Sequence, residues 1–355
     1  MSEQQAEQNP QNEETSSALV VTSIAGSSHP ILLRLAASAL RKNIPFIVIG
    51  DTKSPEAGLS IPGIDFYSHS DARLEELNFA RWCPKSTYSR KNLGYLLAIR
   101  LGVEWIVETD DDNDPDESFW ITPDEIVSGR ISVQGGWVNA YASFTDKFIY
   151  PRGFPLDEAR QKTLFAGNAS ALSPIQQRLV NGDPDVDAVY RMLFELPMEF
   201  EPRPPLILER GGWCPFNSQN TVFFRRAFPL LYLPSFCSFR MTDIWRSFVA
   251  QRILQENGYA LSFHAPNAVQ HRNEHDLMSD FAQEIPGYLE NKKIVSKLSS
   301  LALPSGDEKI PAAVYTCYEA MVSEGWLPEK ELSLLLSWLE NLEAVRSARS
   351  YKMQT

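Results

Sequence analysis

Apolar runs and polar breaks alternate regularly along the first third of the chain. Ala18-Leu-Val-Val-Thr-Ser-Ile24 is rich in β-branched residues, which predicts a first strand. Gly26 and two serines turn the chain, and Pro30 opens an apolar-periodic segment, predicting a helix to about Lys42. Pro45-Phe-Ile-Val-Ile-Gly50 predicts a second strand ending at Asp51, and Ile64-Asp-Phe-Tyr67 a third, short one, beyond a Pro- and Gly-rich loop. A helix is expected from about Ser86 to Arg100, ended by Leu101-Gly102, and then a strand at Trp105-Ile-Val107, buried on both faces as in a parallel sheet. Strand, helix, strand, helix, strand at these spacings is a βαβ pattern. The first half should therefore be a right-handed, mostly parallel sheet flanked by helices.

The second half is less regular. Strand-like residues lie between Gln134 and Phe148, Gly182 to Arg191 turns into a helix, and Pro202 to Leu208 is Pro-rich and extended. Asn217 to Phe224 predicts a strand entered through polar side chains. Thr242 to Asn257 carries Ile244, Phe248, Val249, Ile253 and Leu254 at helical spacing. From Pro286 onward the chain reads as helical, with Leu332, Leu335, Leu339 and Leu342 in one stripe. Such a stripe packs on the parent domain or, as the alternative, makes a helical contact between copies. No internal repeat is evident. The organisation expected is a disordered polar tail at 1–17, one α/β domain at 18–285 and a C-terminal helical extension at 286–355.

With 355 residues and 43% hydrophobic content the chain can bury a sizeable core. A net charge of −12 argues against nucleic acid as a partner. The four cysteines are scattered without paired metal-ligand spacing, which fits free thiols of a reducing compartment. No stretch reaches the length of a membrane span, and the first residues lack a signal pattern. The expectation is a soluble, cytoplasmic protein with no integral membrane segment.

Candidate chemistry gathers where ligands of parallel sheets gather, at the carboxyl ends of the strands. The strand Trp105–Val107 runs into Asp110, Asp111 and Asp112, carboxylates whose mutual repulsion a divalent cation with oxygen preference, Mn²⁺ or Mg²⁺, would relieve. An acidic surface turn is the alternative. Ser23 and Asp51 lie at the ends of the first two strands; Asp51 suits the uracil or ribose of a nucleotide and equally a cap or turn. The helix opening Ser86-Thr-Tyr-Ser-Arg-Lys-Asn92 suits a phosphate, with Arg90 and Lys91 adding charge, against the alternative of a solvated basic face. Asn217, Gln219 and Asn220 present amides suited to hydroxyl-rich ligands or to loop backbone groups. Asp243 opens a helix and is a general base or acceptor-binding carboxylate, or else an ordinary N-cap. His264, His271 and His275 cluster without a zinc signature, so that one of them can complete a metal shell from across the cleft. Asp183, Asp185 and Asp187 lack the glycine and closing glutamate of a calcium loop and read as a turn before a helix.

Taken together, Cys83-Pro-Lys-Ser-Thr-Tyr-Ser-Arg-Lys-Asn-Leu-Gly-Tyr-Leu-Leu-Ala-Ile99 and Glu108-Thr-Asp-Asp-Asp-Asn113 resemble the STELLO family of glycosyltransferase-like proteins, and more distantly the UDP-arabinopyranose mutases (reversibly glycosylated polypeptides). Gly182 to Arg191, Phe216 to Thr221 and Thr242 to Arg246 add to the match, which spans roughly 18–275. The resemblance implies a GT-A fold, a nucleotide-diphosphate-sugar donor, UDP-linked, and a metal held by Asp110 and Asp112. It further implies that Arg90 and Lys91 contact the diphosphate, that Asp243 faces a carbohydrate or other hydroxyl acceptor, and that His271 ligates the metal. Ser23, Asp51, Asp111, Asn217 and Gln219 complete the expected donor site. A nucleotide-sugar mutase and a non-catalytic scaffold are the rival readings. Plant STELLO proteins are anchored in the Golgi membrane, and this sequence shows no such anchor. Inversion or retention at the sugar is not legible in these motifs.

Overall fold

The first apolar run forms β1 (Ser17–Thr22), the centre of the sheet's parallel half. In the computed structural model, which describes residues 16–55, 58–132, 135–273 and 276–352, α1 (Pro30–Arg41) follows it with Pro30 in the first turn. Next come β2 (Phe46–Ile49), β3 (Ile64–Tyr67), α2 (Asn78–Trp82), α3 (Lys91–Arg100) and β4 (Trp105–Thr109). The strands β3-β2-β1-β4 are adjacent and parallel, with Leu19 opposite both Phe46 and Val107. Side chains alternate across a strand, so each strand feeds two cores. Leu19, Val21, Phe46 and Val48 meet Leu32, Leu35 and Ala36 of α1 on one face. On the other face Ala18, Val20, Ile47 and Ile49 meet Leu93, Leu96 and Leu97 of α3. Gly94 allows that second approach, since a Cβ there would lie 2.6 Å from Val20 Cγ1.

Beyond the acidic residues the chain adds β5 (Asn113–Pro115), β6 (Ile126–Ser132), β7 (Gly136–Trp137), β8 (Phe165–Leu172), β9 (Ile175–Arg178) and β10 (Asn181–Gly182). Asp187 then caps α4 (Ala188–Leu193), its side chain accepting from Tyr190 N, as the turn-then-helix reading expects. There follow β11 (Leu206–Ile207), β12 (Gly212–Trp213), β13 (Asn220–Phe224), α5 (Thr242–Glu256), β14 (Leu261–His264) and β15 (Ala268–Gln270). The main sheet runs β3-β2-β1-β4-β13-β9-β14-β11-β6-β8. It is mixed: β13 inserts antiparallel beside β4, with Asn220 opposite Thr109, and β8 closes the far edge antiparallel to β6. The α/β class expected from the sequence is thus adopted, with the purely parallel run confined to the first four strands. A small sheet, β10-β15-β5, pairs Gln270 with Asn113 and so brings β15 beside the acidic residues.

The expected boundary at 286 falls inside a helix. α6 (Leu277–Ser299) runs straight through Pro286, and α7 (Ile310–Ser323) and α8 (Lys330–Lys352) follow. These helices share the main core: Ile294, Val314, Tyr318, Leu335 and Leu342 are buried in the same cluster as Val20 and Leu97. The leucine stripe packs inward, as the parent-domain reading expects, with Leu335 and Leu342 buried and Leu332 and Leu339 against the core. Trp338 is fully buried between Phe79 of α2 and Tyr232. Trp338→Ala is therefore expected to destabilise the whole molecule by about 3–5 kcal/mol in a denaturant titration. A first transition left in place, with only a minor later one affected, would mean that the helices form a separate unit. No helix among the described residues is long and apolar enough to cross a membrane. The tail at 1–15, Gln134 and His275 lie outside the described residues.

Candidate functional site

The carboxyl ends of β1, β2 and β4 open into one cleft of about 360 Å³, within the ~300–1,000 Å³ typical of small-molecule sites. Ser23, Gly50, Asp51, Thr52, Ser86, Thr87, Tyr88 and Arg90 line one end, Asp110, Asp111, Asp112 and Gln219 the middle, and Arg152, Asp185, Arg240, Asp243, Gln270 and Arg272 the rest.

At the first end Asp51 Oδ1 accepts hydrogen bonds from Thr52 N (2.7 Å) and Ser86 N (2.9 Å). The second bond pins Ser86, whose φ of 57° lies in the left-handed region a non-glycine residue seldom visits. Asp51 thus does the turn work the sequence allowed for while still lining the cleft. Arg90, 3% exposed, donates through Nε to Gly50 O at 3.1 Å, and its Nη2 is buried with no hydrogen-bond partner.

In the middle the three aspartates have separate environments. Asp110 Oδ1 accepts from Tyr88 Oη (2.7 Å) and Lys91 Nζ (3.0 Å). Asp111 accepts from the Ser23 hydroxyl, and burial raises its carboxyl above the usual range. Asp112 Oδ2 accepts from Gln270 Nε2 at 3.0 Å, while its Oδ1 is buried without a partner. Burial, and then the charge of Asp110, pushes the Asp112 carboxyl up to about 7. Among the described residues no group of three or more His, Cys, Asp or Glu side chains converges as a ready-made metal cage.

Three of the expected residues stand elsewhere than the sequence suggested. Lys91 is fully buried and does not line the cleft. Its ammonium is spent on Thr109 O (2.7 Å), Tyr88 Oη (2.9 Å), Ser218 O (3.0 Å) and Asp110. Asn217 is also buried behind the cleft wall, bridging Gln177 (2.8 Å) and Asp185 (2.9 Å), and so positions Asp185 without reaching a ligand. His271 follows β15, and its neighbours Gln270 and Arg272 line the cleft while it does not. Its imidazole is 62% exposed, 4.0 Å from Asp114 Oδ2, and only its backbone N–H reaches Asp112, donating to the carbonyl at 2.9 Å.

Asp243 does line the cleft, in the first turn of α5, but not as a free base. Arg152 donates to both of its oxygens, at 2.9 and 3.1 Å, and forks Asp185 at 2.7 Å through Nε and Nη2. Arg240 donates through Nε to Glu284 at 3.0 Å, and its Nη2, buried and unbonded, lies 3.7 Å from Asp185. Arg272 donates to Asp280 at 2.7 Å, and burial with the charges of Arg191 and Arg240 draws it down to about 10. The sequence reading missed Tyr88, Arg152, Asp185, Arg240, Gln270 and Arg272. Tyr88, Asp185, Gln270 and Arg272 lie within runs singled out for other residues, whereas Arg152 and Arg240 do not.

The family model described as STELLO glycosyltransferases matches residues 240–352. "Probable glycosyltransferase STELLO1" of Arabidopsis thaliana is 28% identical over 322 residues, 84% of this chain. "Probable glycosyltransferase STELLO2" of the same plant is 28% identical over 83% of the chain. The chain spans 41% of the length of each of these relatives. Among solved structures, glucosyl-3-phosphoglycerate synthase from Mycobacterium tuberculosis, in complex with phosphoglyceric acid, aligns with a TM-score of 0.38 at 11% identity, over 78% of this chain and 80% of that one. A mycobacterial protein aligns with a TM-score of 0.39 at 10% identity, over 78% and 74%. On its sequence relatives and family match, the chain is similar to the STELLO proteins over most of its length.

Proposed function

We propose that this chain is a glycosyltransferase that takes a sugar from a nucleotide-diphosphate donor, UDP-linked, and passes it to a hydroxyl acceptor with Mn²⁺ or Mg²⁺ bound at Asp110 and Asp112. The observation that carries the reading is Asp112 Oδ1, a buried acidic oxygen with no partner, in the middle of a cleft whose two ends differ in chemistry. An orphaned carboxylate oxygen beside a second carboxylate suits a hard cation that completes its shell with substrate phosphates and water. When bound, such an ion supplies Lewis-acid stabilisation of a nucleotide diphosphate leaving group.

The chain's own residues do the rest. Asp51 and the backbone of Ser86–Thr87 bound the nucleoside end, where Arg90 Nη2 offers a donor that no protein group uses. Lys91 acts from beneath, fixing Asp110 together with Tyr88 instead of touching the donor. Gln270 orients Asp112 through Nε2, leaving Oδ1 for the ligand. Asp243, held by Arg152, positions the acceptor hydroxyl near the donor sugar, which converts an encounter into an oriented reaction. A mutase needs no acceptor end, so the stretch from Arg152 to Arg272 favours transfer.

The test is calorimetric titration of UDP and GDP, each with and without Mn²⁺. UDP binding that appears only with the metal is the expected result. Absence of binding by either nucleotide overturns the donor site and leaves the scaffold reading in its place.

A further inference from the structure

The far end of the cleft holds more hydrogen-bond donors than the protein's own acceptors use. The carboxylates there are already matched. Asp185 takes three hydrogen bonds, from Arg152 Nε and Nη2 at 2.7 Å and from Asn217 Nδ2 at 2.9 Å. Asp243 takes Arg152, the backbone of Ile244 at 3.0 Å and that of Ser218 at 3.3 Å. Behind them Glu284 takes Arg240 Nε, Ala188 N at 2.7 Å and Tyr288 Oη at 2.9 Å.

One guanidinium is not matched in the same way. Arg240 is 8% exposed and lines the cleft, yet its Nη2 makes no hydrogen bond. Asp185 Oδ1, at 3.7 Å, is beyond bonding reach. Arg272, with a side chain 10% exposed, lines the same end and donates to Asp280 through Nη2. A buried donor left without an acceptor costs about 1–3 kcal/mol, so it is retained where a ligand oxygen fills the gap. Guanidinium forks match carboxylate and phosphate oxygens in shape and charge.

Resting on the transferase reading above, we infer that the acceptor carries an anionic oxygen group, a phosphate or a carboxylate, seated on Arg240 and Arg272. The acceptor hydroxyl then lies toward Asp243, and the anionic group anchors the molecule on the side away from the nucleotide. A neutral sugar would leave Arg240 Nη2 facing a weaker acceptor and would lose the charge-assisted contact.

The test uses glucose, glucose 6-phosphate and glucuronate as probes, titrated by saturation-transfer NMR into the wild-type protein with UDP and Mn²⁺ present and again without them. At least one anionic probe should bind about tenfold or more tightly than glucose, since bonds to charged groups are the stronger ones. A preference for glucose 6-phosphate identifies phosphate, and one for glucuronate identifies carboxylate. Arg272→Gln should remove about tenfold of that affinity and Arg272→Lys should restore part of it, the variants' thermal melts showing that they fold. Glucose binding as well as both anions, or no saturable binding by any probe, overturns the inference. Anion binding without any UDP binding upholds the anionic seat and overturns the donor site, so the two failures are told apart.

Discussion

Replacing Asp112 with Asn is expected to remove metal-dependent nucleotide binding and to lower transfer by at least about a thousandfold, equivalent to ~4 kcal/mol of transition-state stabilisation. The substitution keeps the volume and can still accept from Gln270, so the environment at Oδ2 is preserved. What it removes is the negative charge on the oxygen that no protein group satisfies. The same change relieves a carboxylate that burial and Asp110 hold in an unfavourable charged state near neutral pH. Its folded pKa, about 7, lies above that of the unfolded chain, so ionisation costs stability progressively as pH rises from the ordinary carboxylate range through 7. In metal-free buffer at pH 8 the Asp112→Asn protein is therefore expected to melt higher than the wild type. Asp111→Asn should be milder in both respects, because that carboxylate already accepts from Ser23. Calorimetry with Mn²⁺ and UDP, paired with a thermal melt without metal, checks both halves. Unaltered metal-dependent binding by the Asp112→Asn protein would exclude Asp112 as a ligand.

These assignments divide according to how local their causes are. β1, α1, β2, α3, β4 and the aspartates after β4 are legible in sequence because each is a run whose own pattern selects its conformation. Parts of the second half resist such reading: β13 and α5 show in the sequence, but β9 and β14 are four residues long and join the sheet only by pairing with each other and with β13 and β11. The same distinction runs through the site. Asp185 looks like a turn residue, and its neighbour Asp187 is indeed a helix cap, yet Asp185 gains its role from Arg152, 33 residues away. Lys91 follows Arg90 in sequence, but successive helical positions do not share a face, so one reaches the cleft and the other supports its floor. The histidine cluster suggested a ligand by composition, whereas the path of the chain as it leaves β15 puts Gln270 and Arg272 in the cleft and His271 outside it. Residue type signalled the chemistry; orientation was set by tertiary packing.

The second large effect concerns the joint between the two ends of the cleft. Glu108 on β4 and Arg246 on α5 form a bidentate pair at 2.7 and 3.0 Å, both essentially inaccessible, and Tyr95 of α3 also donates to Glu108. The guanidinium lies over Phe223 and Phe216, at 5.1 and 5.6 Å from the ring centroids. Glu108→Gln alone leaves a buried cation without its counter-charge and should cost about 3–5 kcal/mol of stability, as should Arg246→Met. The double replacement Glu108→Met with Arg246→Met should recover most of this, since a buried pair exchanged for apolar groups of similar volume is often close to neutral. What remains is the Tyr95 hydroxyl deprived of its acceptor, about 1–3 kcal/mol, and Tyr95→Phe in the double background should restore it. Function is expected not to recover in parallel. Glu108 lies two residues before Asp110 on β4, and Arg246 lies three after Asp243 on one face of α5. The pair therefore ties the acidic residues after β4 to Asp243, and a shift of about 1 Å between groups that align two substrates can cost about a hundredfold in rate. A triple variant that unfolds at the wild-type denaturant midpoint but transfers sugar ten- to a hundredfold more slowly, by roughly that geometric sensitivity, shows the ion pair to be a positioning device. One that is both as stable and as active shows that apolar packing alone can hold β4 and α5 in register.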